Sequence, residues 1–289
     1  MSVLVVFLLA GVLAGVVAAV VFAAMNRDPQ TATHGPVHAT ARAVQQKLAT
    51  HRRIATFMRE RLSPASVTGL ALTVTLALLL AVAALAFQVR QQSFVARADL
   101  HVARWAAHHA TARSTDVLRR FTDLGSTVGV LIIATVVAVV EVVRTRTRGV
   151  IVFLAVTVVG VGFANNLAKA IVGRPRPPIA DRLVHASGMS FPSGHSAAAA
   201  ACFAACALCL SRRRGVGARF VITVVAAALA VMVATSRVLL GVHWSSDAFA
   251  GLCFGAAWFA LCAIAFGGRL LRFGAPVEIA ERAEAIPSP

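Results

Sequence analysis

The sequence predicts an all-α protein, a polytopic membrane helical bundle, because of how much apolar residue it holds and how that residue is distributed. Hydrophobic residues fill 58% of its 289 positions and only 13% are charged, where a soluble domain carries about a quarter charged. The apolar residues are gathered into seven blocks, about 2–24, 66–87, 126–143, 150–171, 196–211, 219–236 and 247–267. A helix needs roughly 20 apolar residues to cross the ~30 Å hydrocarbon core, and at least five of these blocks meet that length. The block 196–211 is short, and tilt would accommodate it.

The first block is expected to be a retained helix rather than a cleaved signal, since no Lys or Arg precedes it and its apolar run is long for a signal core. Segment 27–65 begins polar and then places Val37, Ala41, Val44 and Leu48 at helical spacing among Arg and Lys, which predicts a surface helix on the inner leaflet. Ser63 and Pro64 offer a cap and a first-turn proline for the second block. Segment 88–125 sets Phe94, Leu100, Val102 and Trp105 among Arg and His, and predicts an interfacial helix near the outer headgroups. His108 and His109 lie about 100° apart on such a helix and are read as a solvated pair, not a metal site. The five cysteines, Cys202, Cys206, Cys209, Cys253 and Cys262, all fall inside apolar blocks and read as packing residues. The tail from Val277 is short and mixed in charge.

Charge sets an expected orientation. Formal net charge is +17, and cations beside membrane helices favour the cytoplasmic side. With seven spans, one face collects the basic segment 27–65, Arg144, Arg146 and Arg148, Arg212, Arg213, Arg214 and Arg219, and the tail residues Arg269, Arg272 and Arg282. That face is assigned to the cytoplasm and the N-terminus to the outside, although 88–125 is also basic. The cations are scattered through membrane-flanking links with little aromatic interleaving. Anionic membrane lipids are therefore the expected partners, and nucleic acid is not.

Polar residues that do not belong in lipid gather at the outer ends of the later blocks. "KAIVGRPRPP" carries Lys169, Arg174 and Arg176; "PSGH" runs from Pro192 to His195; "SRVLLGVHWSSD" runs from Ser236 to Asp247. Ionisable groups at a membrane edge are costly and mark function, and three such clusters fall on one face. Lys169, Arg176 and Arg237 provide charge and donors suited to phosphate oxygens. Ser193 adds a hydroxyl, and Gly194 lets backbone N–H groups approach an anion at a helix N-terminus. His243 and Asp247, four residues apart, are expected to share a face of a helical turn, where the carboxylate would fix the tautomer of a nucleophilic ring. His195 would protonate the departing oxygen. Arg174, Arg182 and His185 are read as loop charges.

These spacings resemble the three-part signature of the type-2 phosphatidic acid phosphatase superfamily of membrane lipid phosphatases. Lys169, six residues, and Arg176-Pro177 match its first motif; Pro192-Ser193-Gly194-His195 matches its second. Ser236-Arg237, five residues, His243, three residues and Asp247 match its third. The resemblance implies a six-helix phosphatase core plus one additional N-terminal transmembrane helix. The expected parts are 1–65, the first helix and basic segment; 66–270, the core; and 271–289, a short tail. It also implies phosphate transfer through a phosphohistidine on His243, with Asp247 orienting the ring and His195 as acid. Lys169, Arg176, Ser193, Gly194 and Arg237 would hold phosphate, with no metal and no cofactor. Expected substrates are lipid phosphates: phosphatidate, phosphatidylglycerol phosphate or a polyprenyl diphosphate. The Ala-, Val- and Arg-rich usage is that of a high-GC bacterium, which points to a cell-envelope substrate in the plasma membrane. A lipid-linked phosphotransferase and a non-catalytic anion-binding transporter are the alternatives left open, and oligomeric state is not readable.

Overall fold

The structure is a computed structural model that describes residues 2–25, 64–91, 94–178, 182–212 and 214–272. The expected surface helix at 37–48 and the tail from Val277 lie outside the described residues. Seven of the helices among the described residues are long and apolar enough to cross a membrane. They are α1 (Val3–Met25), α2 (Pro64–Arg90), α5 (Thr127–Thr145), α6 (Gly149–Val172), α7 (Gly194–Ser211), α8 (Val216–Leu239) and α9 (Ser245–Arg272). Two shorter ones, α3 (Phe94–His109) and α4 (Ala112–Thr122), lie between α2 and α5, followed by a single 3-10 turn at Asp123–Gly125. The chain is therefore an all-α polytopic bundle, with six core spans and one more at its N-terminus.

Local chemistry sets where the spans stop. Ser126 caps α5 by accepting the Gly129 N–H at 3.0 Å. Gly173, at φ 66°, closes α6 in the left-handed region that glycine occupies without penalty, and so turns the chain into the "RPRP" segment. α7 begins at Gly194, two residues earlier than the apolar block implies, because Ser193 caps it by accepting the Ser196 N–H on its hydroxyl.

α7 sits at the centre, with α5, α6, α8 and α9 around it. Its span is 61% buried, against 6% for that of α2. The run of alanines from Ala197 to Ala201 lets neighbouring backbones come close. α9 uses this fully: a Cβ at Gly251 would lie 2.6 Å from the Ser193 carbonyl, and one at Gly255 would overlap the Ala197 carbonyl. α1 runs along α8, and its first turns place Val3 and Phe7 against Leu239, Leu240 and Val242. α2 packs on α9, and Arg90 at its end donates to the Ile171 carbonyl at 2.6 Å, capping α6. All five cysteines are free and buried.

Segment 88–125 departs from expectation. It forms two helices, broken at Thr111, which caps α4 through a reciprocal capping box with Ser114. The inward face of α3 is Asp99, Ala103 and Ala106, whereas Phe94 and Val102 are exposed. Small side chains win the buried positions because α3 lies close on the ends of α8 and α9. His109 stacks on Trp105 with ring centroids 4.7 Å apart.

Candidate active site

One end of the bundle collects the C-termini of α6 and α8, the N-termini of α7 and α9, and the loops joining them. The residues anticipated from sequence arrive there from four helices and two of the links between them. Lys169 lies in the last turn of α6, Arg176 in the following loop, Ser193, Gly194 and His195 at the start of α7, and Arg237 in the last turn of α8. His243 comes from the α8–α9 turn and Asp247 from the first turn of α9. The helical sharing of a face expected for His243 and Asp247 is therefore replaced by a turn. His243 precedes α9, and Gly241 at φ 69° bends the chain to bring it there.

The turn is held by hydrogen bonds that also prepare the ring. The Asp247 Oδ2 accepts the Trp244 N–H at 3.1 Å, which is half of a capping box across the first turn of α9. Ser190 Oγ donates to the same oxygen and lies 3.3 Å from His243 Nδ1, while Nδ1 and Oδ2 are 3.5 Å apart. On the far side of the ring, Arg176 Nη1 is 3.1 Å from Nε2. A guanidinium has donors only. Nε2 must therefore be the unprotonated nitrogen, and Nδ1 carries the proton toward Ser190 and Asp247. Burial, reinforced by the charges of Arg176 and Arg237 and opposed by Asp247, pushes the His243 pKa down to about 4. The ring is neutral at neutral pH, with a lone pair aimed among cations.

Those cations are positioned by carbonyls. Arg176 donates from Nε to the Ser187 and Gly188 carbonyls, at 3.1 and 3.0 Å, and from Nη1 to that of Val242 at 2.7 Å. Burial and the charge of Arg182 lower its pKa below the usual arginine value. Lys169 Nζ donates to the Met189 carbonyl at 2.6 Å and reaches the Ser190 carbonyl at 3.5 Å, which leaves a third ammonium proton for an anion. Arg237 is 8% exposed; its Nη1 reaches Thr122 at 3.4 Å, and its Nε has no partner among the described residues. A buried donor left open is costly unless an anion completes it. Ser193 Oγ accepts from the Ser196 N–H and hydroxyl, and its own proton has no acceptor among the described residues. Lys169, Arg176, Arg237 and His243 are all close enough to act electrostatically on His195. The space above Gly194 is bounded by Asn165 Nδ2, which a Cβ there would meet at 3.3 Å.

All eight anticipated residues thus converge on one end of the bundle. Several others were not anticipated. Ser190 bridges the ring and Asp247. Asn165 is buried beside Gly194, with its Oδ1 lacking a partner among the described residues. Arg174 is not a loop charge: it is 9% exposed and bonded to Asp99 and Asp247. Arg182 keeps its loop in shape through the Pro177 carbonyl at 2.7 Å. Asn165 lies one helical turn before Lys169, a spacing that could have flagged it.

Comparison with known proteins agrees with this geometry. The PAP2 superfamily pattern matches residues 150–270. A lipid A 1-phosphatase of Rhizobium johnstonii is 40% identical over 118 residues, covering 38% of this chain and 44% of that protein. The phosphatidylglycerophosphatase B of Bacillus subtilis is 37% identical over 99 residues, covering 34% and 48%. The chain thus spans less than half the length of each of these curated relatives. A crystal structure of a transmembrane PAP2-type phosphatidylglycerolphosphate phosphatase from Bacillus subtilis superposes with a TM-score of 0.63 at 27% identity. It covers 68% of this chain and 96% of that one. Motifs, bundle and matched sequence converge: residues 150–270 match the PAP2 superfamily, and the helical bundle is similar to that of a transmembrane PAP2-type phosphatase.

Proposed function

We propose that this protein is an integral-membrane lipid phosphatase that works through a phosphohistidine, with residues 66–270 as its catalytic unit. The observation that carries the reading is the tautomer of His243: a buried neutral ring with Nε2 unprotonated and facing Arg176. Such a nitrogen is ready to attack phosphorus, and the donors around it suit a tetrahedral anion.

The phosphate would sit among Lys169, Arg176, Arg237, the Ser193 hydroxyl and the N–H groups that open α7. His243 Nε2 forms a bond to phosphorus as the bond to the leaving oxygen breaks, and His195, which takes up a proton once the bound phosphate's negative charge offsets the cations around it, passes that proton to the leaving oxygen. The ring carries the phosphoryl group while Asp247, through Ser190, balances the imidazolium charge. Neutral His195 then takes a proton from water, whose oxygen attacks phosphorus and releases inorganic phosphate. The departing group is the lipid. A site at the bundle's end, level with the membrane surface, favours a substrate whose chains stay in the bilayer, and the named activities of the relatives support the same class. Phosphatidate, phosphatidylglycerol phosphate and polyprenyl diphosphates are the candidates.

The site is assigned to the extracytoplasmic face of the plasma membrane, because the links bearing Arg144 to Arg148 and Arg212 to Arg219 lie at the other end. The test of function is phosphate release from a panel of those three lipids, with chelator present. Wild type is expected to turn over at least one of them at a rate that chelator does not change. His243→Ala is expected to insert and melt like wild type but to release no phosphate. Substantial release by that variant rejects the proposed nucleophile.

A further inference from the structure

We propose that Asp99 and Arg174 form a positioning unit for His243, acting through Asp247, and this rests on the reading of His243 as the nucleophile. The two residues are 75 apart in sequence and come from α3 and the α6–α7 loop. Arg174 Nη2 donates to Asp99 Oδ2 at 2.8 Å, and Nη1 donates to Asp247 Oδ1 at 2.6 Å and Ser246 Oγ at 2.8 Å. The Trp244 ring covers the guanidinium, with its centroid 5.2 Å from Cζ. Arg174 is thereby committed to carboxylates and is unlike Arg176, two residues on, which faces the ring. The two arginines of "RPRP" have different work.

Each oxygen of Asp247 now has an assigned direction. Oδ1 is held by Arg174; Oδ2 is left to the Trp244 N–H, Ser190 and the His243 ring. A carboxylate is free to rotate about its Cβ–Cγ bond unless one oxygen is fixed, and a bidentate-capable arginine fixes it well. Asp99 in turn fixes Arg174 and does a second task. The position before α9 is Trp244, whose side chain cannot cap a helix. Asp99 Oδ1 reaches across from α3 and accepts the Ser246 N–H at 2.9 Å and the Ser245 hydroxyl at 2.5 Å. The helix that presents Asp247 is therefore capped by the same carboxylate that aims its arginine. All three charged groups are buried, so removing any one leaves a partner uncompensated. Neither Asp99 nor Arg174 contacts the cup, so their effect would fall on the chemical step and not on lipid binding.

The test uses the full chain in detergent with the lipid that wild type hydrolyses best. Loss of support for a positioned group costs about 10–100-fold. Arg174→Gln and Asp99→Asn are expected to lower kcat by that order, with KM changed by less than about threefold. Arg174→Lys is expected to recover part of kcat, and the double variant to be no worse than the worse single one, as for residues acting as one unit. Losses confined to KM, losses that multiply in the double variant, or wild-type kcat in either single variant would overturn the assignment. Asp99→Asn is isosteric and carries the test if Arg174→Gln does not fold. A second measurement does not need turnover: nitrogen NMR of 15N-histidine-labelled protein, with the signal assigned by His243→Ala. Wild type is expected to show His243 held as one tautomer with Nδ1 protonated, and both variants a mixture of the two. If wild type hydrolyses no lipid, the phosphatase reading fails, and the NMR comparison still decides the positioning unit. An unchanged single tautomer in both variants would reject it.

Discussion

At the scale of single residues, burying His243 as a neutral ring gives a pH dependence whose sign can be worked out. Its folded pKa, about 4, lies below the ordinary value of 6.5. The unfolded chain therefore binds a proton that the folded one refuses. Stability from this group is complete above about 6.5 and is lost as pH falls through about 4. The nucleophile follows the same curve, since only the neutral ring attacks. The acid limb of kcat/KM assigned to His243 is expected near pH 4, far below that of an exposed histidine. Arg176→Gln removes a charge that lowers this pKa, so its residual activity is expected to have an acid limb at higher pH. A pH–rate profile from pH 3.5 to 8 checks both, and an unperturbed limb near 6.5 in wild type would contradict the buried neutral ring. Residue types and spacings told the eight converging residues from the sequence alone. The lone pair direction was not legible there, because it depends on Arg176 meeting the ring across 67 residues of chain.

At the scale of elements, the contact between α7 and α9 positions two motifs against each other. Gly255 on α9 lies over the backbone at Ala197, three residues after Gly194, and that backbone cannot move aside as a flexible side chain would. Gly255→Val must push the helices apart, a clash of the kind that costs about 1–3 kcal/mol. It would also draw Asp247 away from the Ser193 N–H, which donates to the Asp247 carbonyl at 3.0 Å. The expected result is a lowered melting temperature together with a fall in kcat of more than about tenfold, the cost of small misplacements in reacting geometry. Gly162→Val on α6 is the control: a Cβ there meets nothing within 4 Å, so melting and turnover should match wild type. Equal behaviour of the two variants would show that the α7–α9 contact does not position the site. The spans were legible because each is a long apolar run. The break between α3 and α4 was not legible, because the segment reads as one helix and the capping box of Thr111 with Ser114 holds no acidic residue to mark it. The burial of Asp99 was not visible, because its partners Arg174 and Ser246 are 75 and 147 residues away.

At the scale of the whole molecule, the basic α5–α6 and α7–α8 links lie at the end of the bundle opposite the site, and the orientation proposed above rests on them against the basic residues of α3 and α4. The turn between α5 and α6, with Arg146 at φ 56°, and the α7–α8 link hold basic residues at one end. Lys169, Arg176 and the histidines are at the other, where Val3 and Phe7 of α1 also pack beside Val242. Seven spans place the N-terminus of α1 on the side of the site, so a single measurement reports both. Ser187 is exposed in the loop over Arg176, and Arg148 is exposed at the far end. The native cysteines are all buried and give little background. In intact cells, Ser187→Cys is expected to react with a membrane-impermeant maleimide, while Arg148→Cys reacts only after the membrane is opened. The reverse pattern would place the phosphate cup in the cytoplasm. The substrate would then have to be a lipid phosphate of the inner leaflet, and the cations flanking the spans would be acting against the orientation they ordinarily set.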